Sequence, residues 1–160
     1  MTYRIGHGFD IHRFSDDPSR KLMLGGVLFE GQRGLEGHSD ADAVIHALCD
    51  ALLGAAGLGD LGQHFPDSDP AFADADSLQL LADVVSLVHS NDWVIVNADV
   101  TVLAETPKLA PHRKAMETRL SELTSAPISI KATTMERLGP IGEGLGLAAE
   151  AVALLQNGQL

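Results

Sequence analysis

Apolar and polar positions alternate from the start of the chain. Tyr3, Ile5, Phe9 and Ile11 are separated by small or polar residues, the two-residue period of a strand over 3–12. In that register Asp10 and His12 share the strand's other face. Residues 22–30, LMLGGVLFE, read as a further strand or a hairpin interrupted at Gly25-Gly26. From Ser39 the period becomes helical: Val44, Ala47, Leu48, Ala51, Leu52 and Ala55 recur at steps of three and four. His46 falls inside that helix, and Ser39 with Asp42 resembles a capping box at its start. Residues 57–77 are rich in Gly, Asp and Pro without a sustained period and read as a long ordered loop, a kind that is usually functional or flexible. Ser77 is placed to cap a second helix running to about Ser90, with Leu80, Leu81, Val84, Leu87 and Val88 inward. The β-branched run 93–103 predicts a strand, a third helix with Met116, Leu120 and Leu123 follows Pro111, and 128–134 predicts another strand. A Gly-rich turn over 139–146 leads to LAAEAVALL, which periodicity alone leaves open between helix and strand. Strands alternating with helices predict an α/β arrangement with helices on one face of a sheet, in a single domain over 1–160.

Composition narrows the function classes. Hydrophobic residues at 45% and charged residues at 21% place the chain among ordered globular proteins rather than disordered ones. Eleven basic against 22 acidic side chains give a net charge of −11, which argues against a nucleic-acid or anionic-membrane surface. The same charge repels a phosphorylated substrate at long range, so such a substrate would need local cations. Cys49 is the one cysteine, which rules out an intrachain disulfide and reads as a buried thiol in a reducing compartment. The opening MTYRIGHGFD is not a basic region followed by an apolar core, and no later run has the apolar length of a membrane span, so a soluble, cytoplasmic protein is expected.

Against that background a few side chains carry possible chemistry. Asp10 and His12, two apart on a strand, point the same way and can present two ligands to one metal, and His46 is the best candidate for a third from a packed helix. Two histidines and a carboxylate with an open position suit catalytic zinc, and other divalent metals fit the set too. Taken alone, such a pair on a strand is more often a surface pair or a hydrogen-bonding pair than a metal site. His38 and Ser39 stand at the expected helix start, where free N–H groups and the helix dipole favour a phosphate; the plain alternative is a cap beside a solvated histidine. Asp60, Asp67 and Asp69 around Phe65-Pro66 can accept hydrogen bonds from substrate hydroxyls, or simply be solvated. Lys108 after Pro107 can meet a phosphate or be surface lysine. Thr133 and Thr134 supply hydroxyls at a strand end, and Glu136 a hard oxygen ligand of the kind Mg²⁺ accepts beside phosphate oxygens, in what is otherwise a strand terminus and turn.

The segments RIGHGFDIHRF, HSDADAVIHALCDALLGAAGLGDLGQHFPDSDP, NADVTVLAETPKLAPH and KATTMERLG stand in the order and at the spacing of the 2-C-methyl-D-erythritol 2,4-cyclodiphosphate synthases, which the chain resembles over nearly its whole length. The resemblance implies that Asp10, His12 and His46 hold one Zn²⁺ per subunit, and that His38 and Ser39 contact phosphate, with His38 stabilising the transition state. Asp60, Leu61 and Gly62 with Phe65, Pro66, Asp67, Ser68 and Asp69 correspond to the methylerythritol pocket. Ala104 through Ala110, including Lys108 and Leu109, correspond to the cytidine and diphosphate site. Thr133, Thr134, Met135 and Glu136 form the far wall, Thr134 assisting the transition state and Glu136 holding Mg²⁺ or Mn²⁺ with the substrate diphosphate. It also implies that the last segment is a strand, that the sheet is mixed (α+β), and that the chain is a cytoplasmic homotrimer with active sites between subunits. The expected reaction turns 4-diphosphocytidyl-2-C-methyl-D-erythritol 2-phosphate into 2-C-methyl-D-erythritol 2,4-cyclodiphosphate and CMP, in the non-mevalonate route to isoprenoid precursors. One stretch departs from the pattern: where the family usually has a Phe and then Arg-Gly-Glu, this chain has Pro140, Glu143 and Leu145. The departure puts in doubt the contact of that arginine, whether in the nucleotide site or a central channel, and leaves the expected reaction centre intact. Two other readings share parts of the pattern, a zinc hydrolase acting on a phosphoester and a non-catalytic metal-binding trimer.

Overall fold

In the computed structural model, which describes residues 1–66 and 75–157, four strands form a mixed sheet in the order β1-β6-β4-β5, and a small hairpin lies apart. β1 spans Thr2–Arg13, β2 Leu22–Leu24, β3 Val27–Phe29, β4 Trp93–Leu103, β5 Ile128–Thr133 and β6 Gly146–Asn157. The helices are α1 (Ala43–Ala56), α2 (Leu61–His64), α3 (Ser77–Ser90), α4 (Arg113–Thr124) and α5 (Gly139–Gly142). β6 pairs antiparallel with both β1 and β4, while β5 joins β4 in parallel, so the sheet is mixed. The final run is therefore a strand, and its alanines explain why periodicity was silent. Ala149, Ala151, Ala153 and Leu155 face the core from the centre of the sheet, and small side chains blur the alternation.

α1 is buried along nearly its whole length, with Ala47, Ala51 and Ala55 turned to β1. Opposite them the strand carries glycine. A Cβ on Gly8 would lie 1.9 Å from Ala47 O, and one on Gly6 would lie 1.9 Å from Ala51 O. The helix backbone thus rests directly on the strand backbone, closer than any side chain allows. This decides which face of β1 is inside. Gly6, Gly8, Asp10 and His12 face the helix, whereas Ile5 is 73% exposed and Tyr3, Phe9 and Ile11 are also outward. The apolar alternation read from the sequence is the outer one.

Two helix starts fall elsewhere than the sequence suggested. α1 begins at Ala43, four residues after Ser39, with Asp42 as its N-cap accepting from the Ile45 N–H at 3.1 Å. Asp42 outcompetes Ser39 because its carboxylate has further donors to satisfy: the N–H groups of Gly25 and Gly26, at 2.8 and 2.7 Å. Those glycines form the left-handed turn of the β2–β3 hairpin, with φ of 57° and 70°, the conformation that a two-residue hairpin turn of this hand requires. Burial pushes the Asp42 carboxyl up and the two glycine N–H groups oppose that. At α3 the cap is Asp76, accepting from Leu78 N–H, and not Ser77.

Asp42→Ala should accordingly do more than remove a cap. It strands the glycine N–H groups in the interior, and at about 1–3 kcal/mol for each unsatisfied group the loss is ~3 kcal/mol or more. A fall in thermal midpoint of about 10 °C is expected, at roughly 2–4 °C per kcal/mol for a chain of this size. Asp42→Asn, which keeps one acceptor, should fall by about half as much. Equal midpoints for wild type and Asp42→Ala would remove Asp42 as the tie between hairpin and helix.

Candidate functional site

The glycine-on-helix contact places the chemistry. The next inward positions of β1 after Gly8 are Asp10 and His12, and the residue before Ala47 on α1 is His46. The three side chains consequently meet: Asp10 Oδ2 lies 2.9 Å from His12 Nε2 and 3.0 Å from His46 Nδ1. Their ligand atoms all fall within 4.8 Å of one another. Four-coordinate zinc with bonds of about 2.0–2.2 Å needs neighbouring ligand atoms ~3.3 Å apart, so the two Asp10 contacts would widen by a few tenths of an ångström and the two histidine nitrogens would stay within reach of the same ion.

The protonation pattern supports the same reading. His12 Nδ1 is 2.7 Å from the carbonyl of Glu36, which can only accept, so in the neutral ring the proton sits on Nδ1 and Nε2 keeps its lone pair. Among the described residues Nε2 is buried and has no hydrogen-bond donor, although the Asp10 carboxylate is adjacent. When the ring is neutral two acceptors face each other at that distance, an arrangement relieved by a cation there, a proton or a metal ion. Burial would raise the Asp10 carboxyl, but the two imidazoles beside it, His12 and His46, outweigh that and hold the group well below the usual carboxylate range. Burial would lower His12, and Asp10 outweighs it in turn, leaving the imidazole raised. The donor set fits a divalent metal of the zinc type.

A cavity of about 260 Å³ opens beside the triad, lined by His38, Ser39, Asp50, Leu61, Gly62 and Phe65 among others. Larger hollows elsewhere on the surface hold none of these groups. The structure thus gathers eight of the residues singled out in the sequence: Asp10, His12, His38, Ser39, His46, Leu61, Gly62 and Phe65. Asp60 caps α2, accepting from Gln63 N–H at 2.9 Å, and stands next to the cavity wall in sequence. Pro66 ends the described part of this loop, and Asp67, Ser68 and Asp69 lie outside the described residues. His38 and Ser39 do not sit on a free helix end. The start of α1 is occupied by Asp42, so the anion argument from the helix dipole does not apply to them, and Ser39 Oγ accepts from Ala41 N–H instead.

The remaining candidates assemble elsewhere. Ala104 through Ala110 and Thr133 through Glu136 leave the ends of β4 and β5 side by side, joined by Ala104 N–H to Thr133 O at 3.0 Å. Glu105 binds the two segments, its Oε1 accepting from Met135 N–H and Arg137 N–H at 3.0 and 3.3 Å. The turn it holds has two successive non-glycine residues in the left-handed region, Glu136 at φ 50° and Arg137 at φ 63°. Such strain persists only where surroundings over-determine it, and it clusters at functional sites. Thr134 Oγ1 donates to Glu136 Oε1 at 2.8 Å. Lys108 is exposed, whereas Leu109 is 4% exposed and belongs to the core, so its side chain faces away from any ligand. Pro140 and Glu143 are exposed on and just after α5.

These two groups lie at opposite edges of one sheet. Asp10 pairs with Ala149, Ala149 with Val102, and Val102 with Ala132, so one row of the sheet runs from the triad to the threonine end. Three strand spacings make that distance about 14 Å.

Several residues that matter here went unread in the sequence. Asp50 follows His46 by one helical turn, a spacing that was available as a signal; it lines the cavity, its carboxyl pushed up by burial against the opposing Leu61 N–H. Arg20 braces the His38–Ser39 loop, donating to Leu35 O at 3.0 Å and Ser39 O at 2.9 Å. Asp40 acts through contacts distant in sequence; Glu105 falls inside the expected nucleotide segment 104–110 and Ser77 at an expected helix start, but no local pattern marks the contact that either side chain makes.

Known synthases resemble this chain over nearly its whole length. A 2-C-methyl-D-erythritol 2,4-cyclodiphosphate synthase of Thermosynechococcus vestitus is 53% identical over 161 aligned residues, covering 99% of both chains. One from Geobacillus kaustophilus is 50% identical over 158, covering 97% of this chain and 99% of the relative. A solved structure of such a synthase, in a form with CDP bound, superposes with a TM-score of 0.86 at 40% identity, covering 96% of this chain and all of that one. With residues 3–156 matching its family model, the chain belongs to the YgbB family.

Proposed function

We propose that the chain carries out the cyclisation for which its relatives are named, converting 4-diphosphocytidyl-2-C-methyl-D-erythritol 2-phosphate into 2-C-methyl-D-erythritol 2,4-cyclodiphosphate and CMP. The observation that carries this reading is the convergence of Asp10, His12 and His46 on one point at the wall of a cavity faced by His38 and Ser39. An oxygen of the 2-phosphate attacks the β-phosphorus. The new P–O–P bond closes an eight-membered ring while the bond from the β-phosphorus to the bridging oxygen breaks, its electron pair leaving with CMP. No side-chain nucleophile is needed, and the chain's task is to hold two phosphates in line and offset charge.

Asp10, His12 and His46 would hold Zn²⁺, and Glu136 would hold Mg²⁺ or Mn²⁺ together with the diphosphate. Bound divalent ions supply positive charge to phosphoryl oxygens, which also answers the repulsion expected from a net charge of −11. His38 and Ser39 contact the attacking or transferred phosphate, and His38 and Thr134 steady the transition state. Leu61, Gly62 and Phe65, with Asp60 and 66–69, receive the methylerythritol part. Ala104 through Ala110, through backbone groups and Lys108, receive the cytidine and its phosphates, with Thr133 and Met135 on the far wall. The CDP-bound relative supports a nucleotide of this kind. Pro140 and Glu143 stay at the periphery.

One phosphorus cannot touch both His38 and Thr134 across a sheet about 14 Å wide. Two copies, with the β5 edge of one against the triad of the next, complete the site. The exposed apolar face of Tyr3, Ile5, Phe9, Ile11 and Val152 offers the surface for assembly, here as a homotrimer of single-domain subunits. A cytoplasmic location follows from the family reading. Among the described residues no helix is long and apolar enough to cross a membrane.

Incubation with the cytidyl substrate, followed by phosphorus NMR, tests the function: CMP and a cyclic diphosphate are expected in equal amounts. An opened product carrying solvent oxygen would make the chain a hydrolase, and no product would make it a metal-binding protein only. Glu136→Gln should shift the magnesium titration of activity to higher concentration, by about tenfold for a lost charged ligand, without releasing zinc. An unchanged titration would reduce Glu136 to a turn residue.

A further inference from the structure

Of the three residues in the triad, two come from β1 and one from α1, and their rings are oriented by different means. The tautomer of His12 is set by a backbone carbonyl, that of Glu36, which no substitution removes. That of His46 is set by side chains. Its Nδ1 faces Asp10, while Nε2, on the far side of the ring, lies 3.0 Å from Ser77 Oγ and 3.3 Å from Ser39 Oγ. Ser77 is fully buried, and its hydroxyl donates a short hydrogen bond to Asp40 Oδ1 while its N–H donates to Asp40 Oδ2 at 3.2 Å. A hydroxyl has a single proton. With that proton on Asp40, Ser77 Oγ, the nearer of the two hydroxyls, has only lone pairs to offer His46, which favours the imidazole proton on Nε2 and turns the Nδ1 lone pair to the triad.

We propose that Asp40 and Ser77 are positioning residues, a relay Asp40–Ser77–His46 that sets the tautomer and ring direction of His46 so that Nδ1 serves as a metal ligand. The relay rests on the reading of Asp10, His12 and His46 as ligands. A helix-capping explanation for Ser77 fails, because Asp76 caps α3. Asp40 gives the relay a second consequence. It lies directly after His38-Ser39, its N–H donates to Ala75 O at 3.4 Å, and it accepts from Asp42 N–H at 3.2 Å. The phosphate-facing loop, the start of α1 and the start of α3 are therefore all tied to the group that orients the ligand. Hydrogen bonds behind a metal-binding histidine typically change metal affinity by about 10–100-fold.

The test measures zinc affinity by competition with a chromophoric chelator, for wild type, Ser77→Ala, Ser77→Thr, Asp40→Asn and His46→Ala. Ser77→Ala should weaken zinc by about 10–100-fold with a thermal midpoint close to wild type, since the backbone bond to Asp40 and the Asp76 cap both remain. Ser77→Thr keeps the hydroxyl and should recover most of the affinity. In Asp40→Asn the amide oxygen takes the Ser77 N–H and its NH₂ faces the hydroxyl, turning the Ser77 proton towards His46; zinc should weaken here too, which keeps the test decisive if Ser77→Ala fails to fold. A long-range ¹H–¹⁵N spectrum of the wild type should show the His46 proton on Nε2. Wild-type zinc affinity in Ser77→Ala, or a His46 proton on Nδ1, overturns the relay. Undiminished zinc in His46→Ala would instead overturn the ligand reading beneath it.

Discussion

Gly8→Ala is expected to yield a protein that is largely unfolded or insoluble, with any folded fraction melting at least 10 °C below wild type and binding little zinc. The added methyl would lie 1.9 Å from Ala47 O, 2.7 Å from Ala51 N and 2.9 Å from Ala47 C. All three are backbone atoms of α1, so no rotamer change relieves the overlap, and the helix must lift from the strand. Overpacking against movable side chains costs about 1–3 kcal/mol, and a clash with helix backbone exceeds that range. The displacement falls one residue from His46, so it separates that imidazole from Asp10 and His12 in the same movement. Gly54→Ala supplies the control. Its Cβ would meet nothing nearer than His7 O at 3.9 Å, and alanine in a helix gains about 0.5–1 kcal/mol over glycine, so a midpoint equal to or above wild type is expected. Circular dichroism melts of both variants decide the matter: a well-folded Gly8→Ala would mean that α1 does not rest on β1 as described.

His46→Ala should lose nearly all activity, by about 10³-fold or more, and most bound zinc, while the assembly stays intact. The ring is largely buried, 14% of its side chain being exposed, but it stands at the wall of the cavity among polar groups rather than in the apolar core, so its removal takes away one ligand and little apolar packing. Light scattering should therefore report the wild-type mass, and metal analysis the loss of zinc. Undiminished zinc with undiminished activity would take His46 out of the site. Loss of assembly along with zinc would give the metal a structural part that a ligand set at a cavity wall does not suggest.

The elements of the chain were legible because they rest on neighbours in sequence. Period and capping chemistry marked the strands near 3–12, 93–103 and 128–134 and the three long helices to within a few residues. The spacing of Asp10 and His12 marked a pair of side chains on one strand face, and the motif order marked the family. Where alanines replace larger residues, as in β6, even local reading lost its signal.

What only the tertiary structure decided are the choices made by contacts between distant segments. The outer face of β1 is the more apolar one, and only the fit of glycine against the α1 backbone turns Asp10 and His12 inward. Ser39 and Asp42 are both good caps by type, and the choice went to Asp42 because the hairpin brings it two more donors from 16 and 17 residues away. That Thr133–Glu136 stands across the sheet from the triad follows from strand order, which no local pattern records. Ser77 meets His46 across 31 residues and Asp40 across 37. Local propensity depends on torsions and steps of three or four residues, so it writes itself into short stretches of sequence. Packing and hydrogen bonding between remote segments are decided only when the chain closes on itself, and in this protein the orientation of the site's chemistry depends on them.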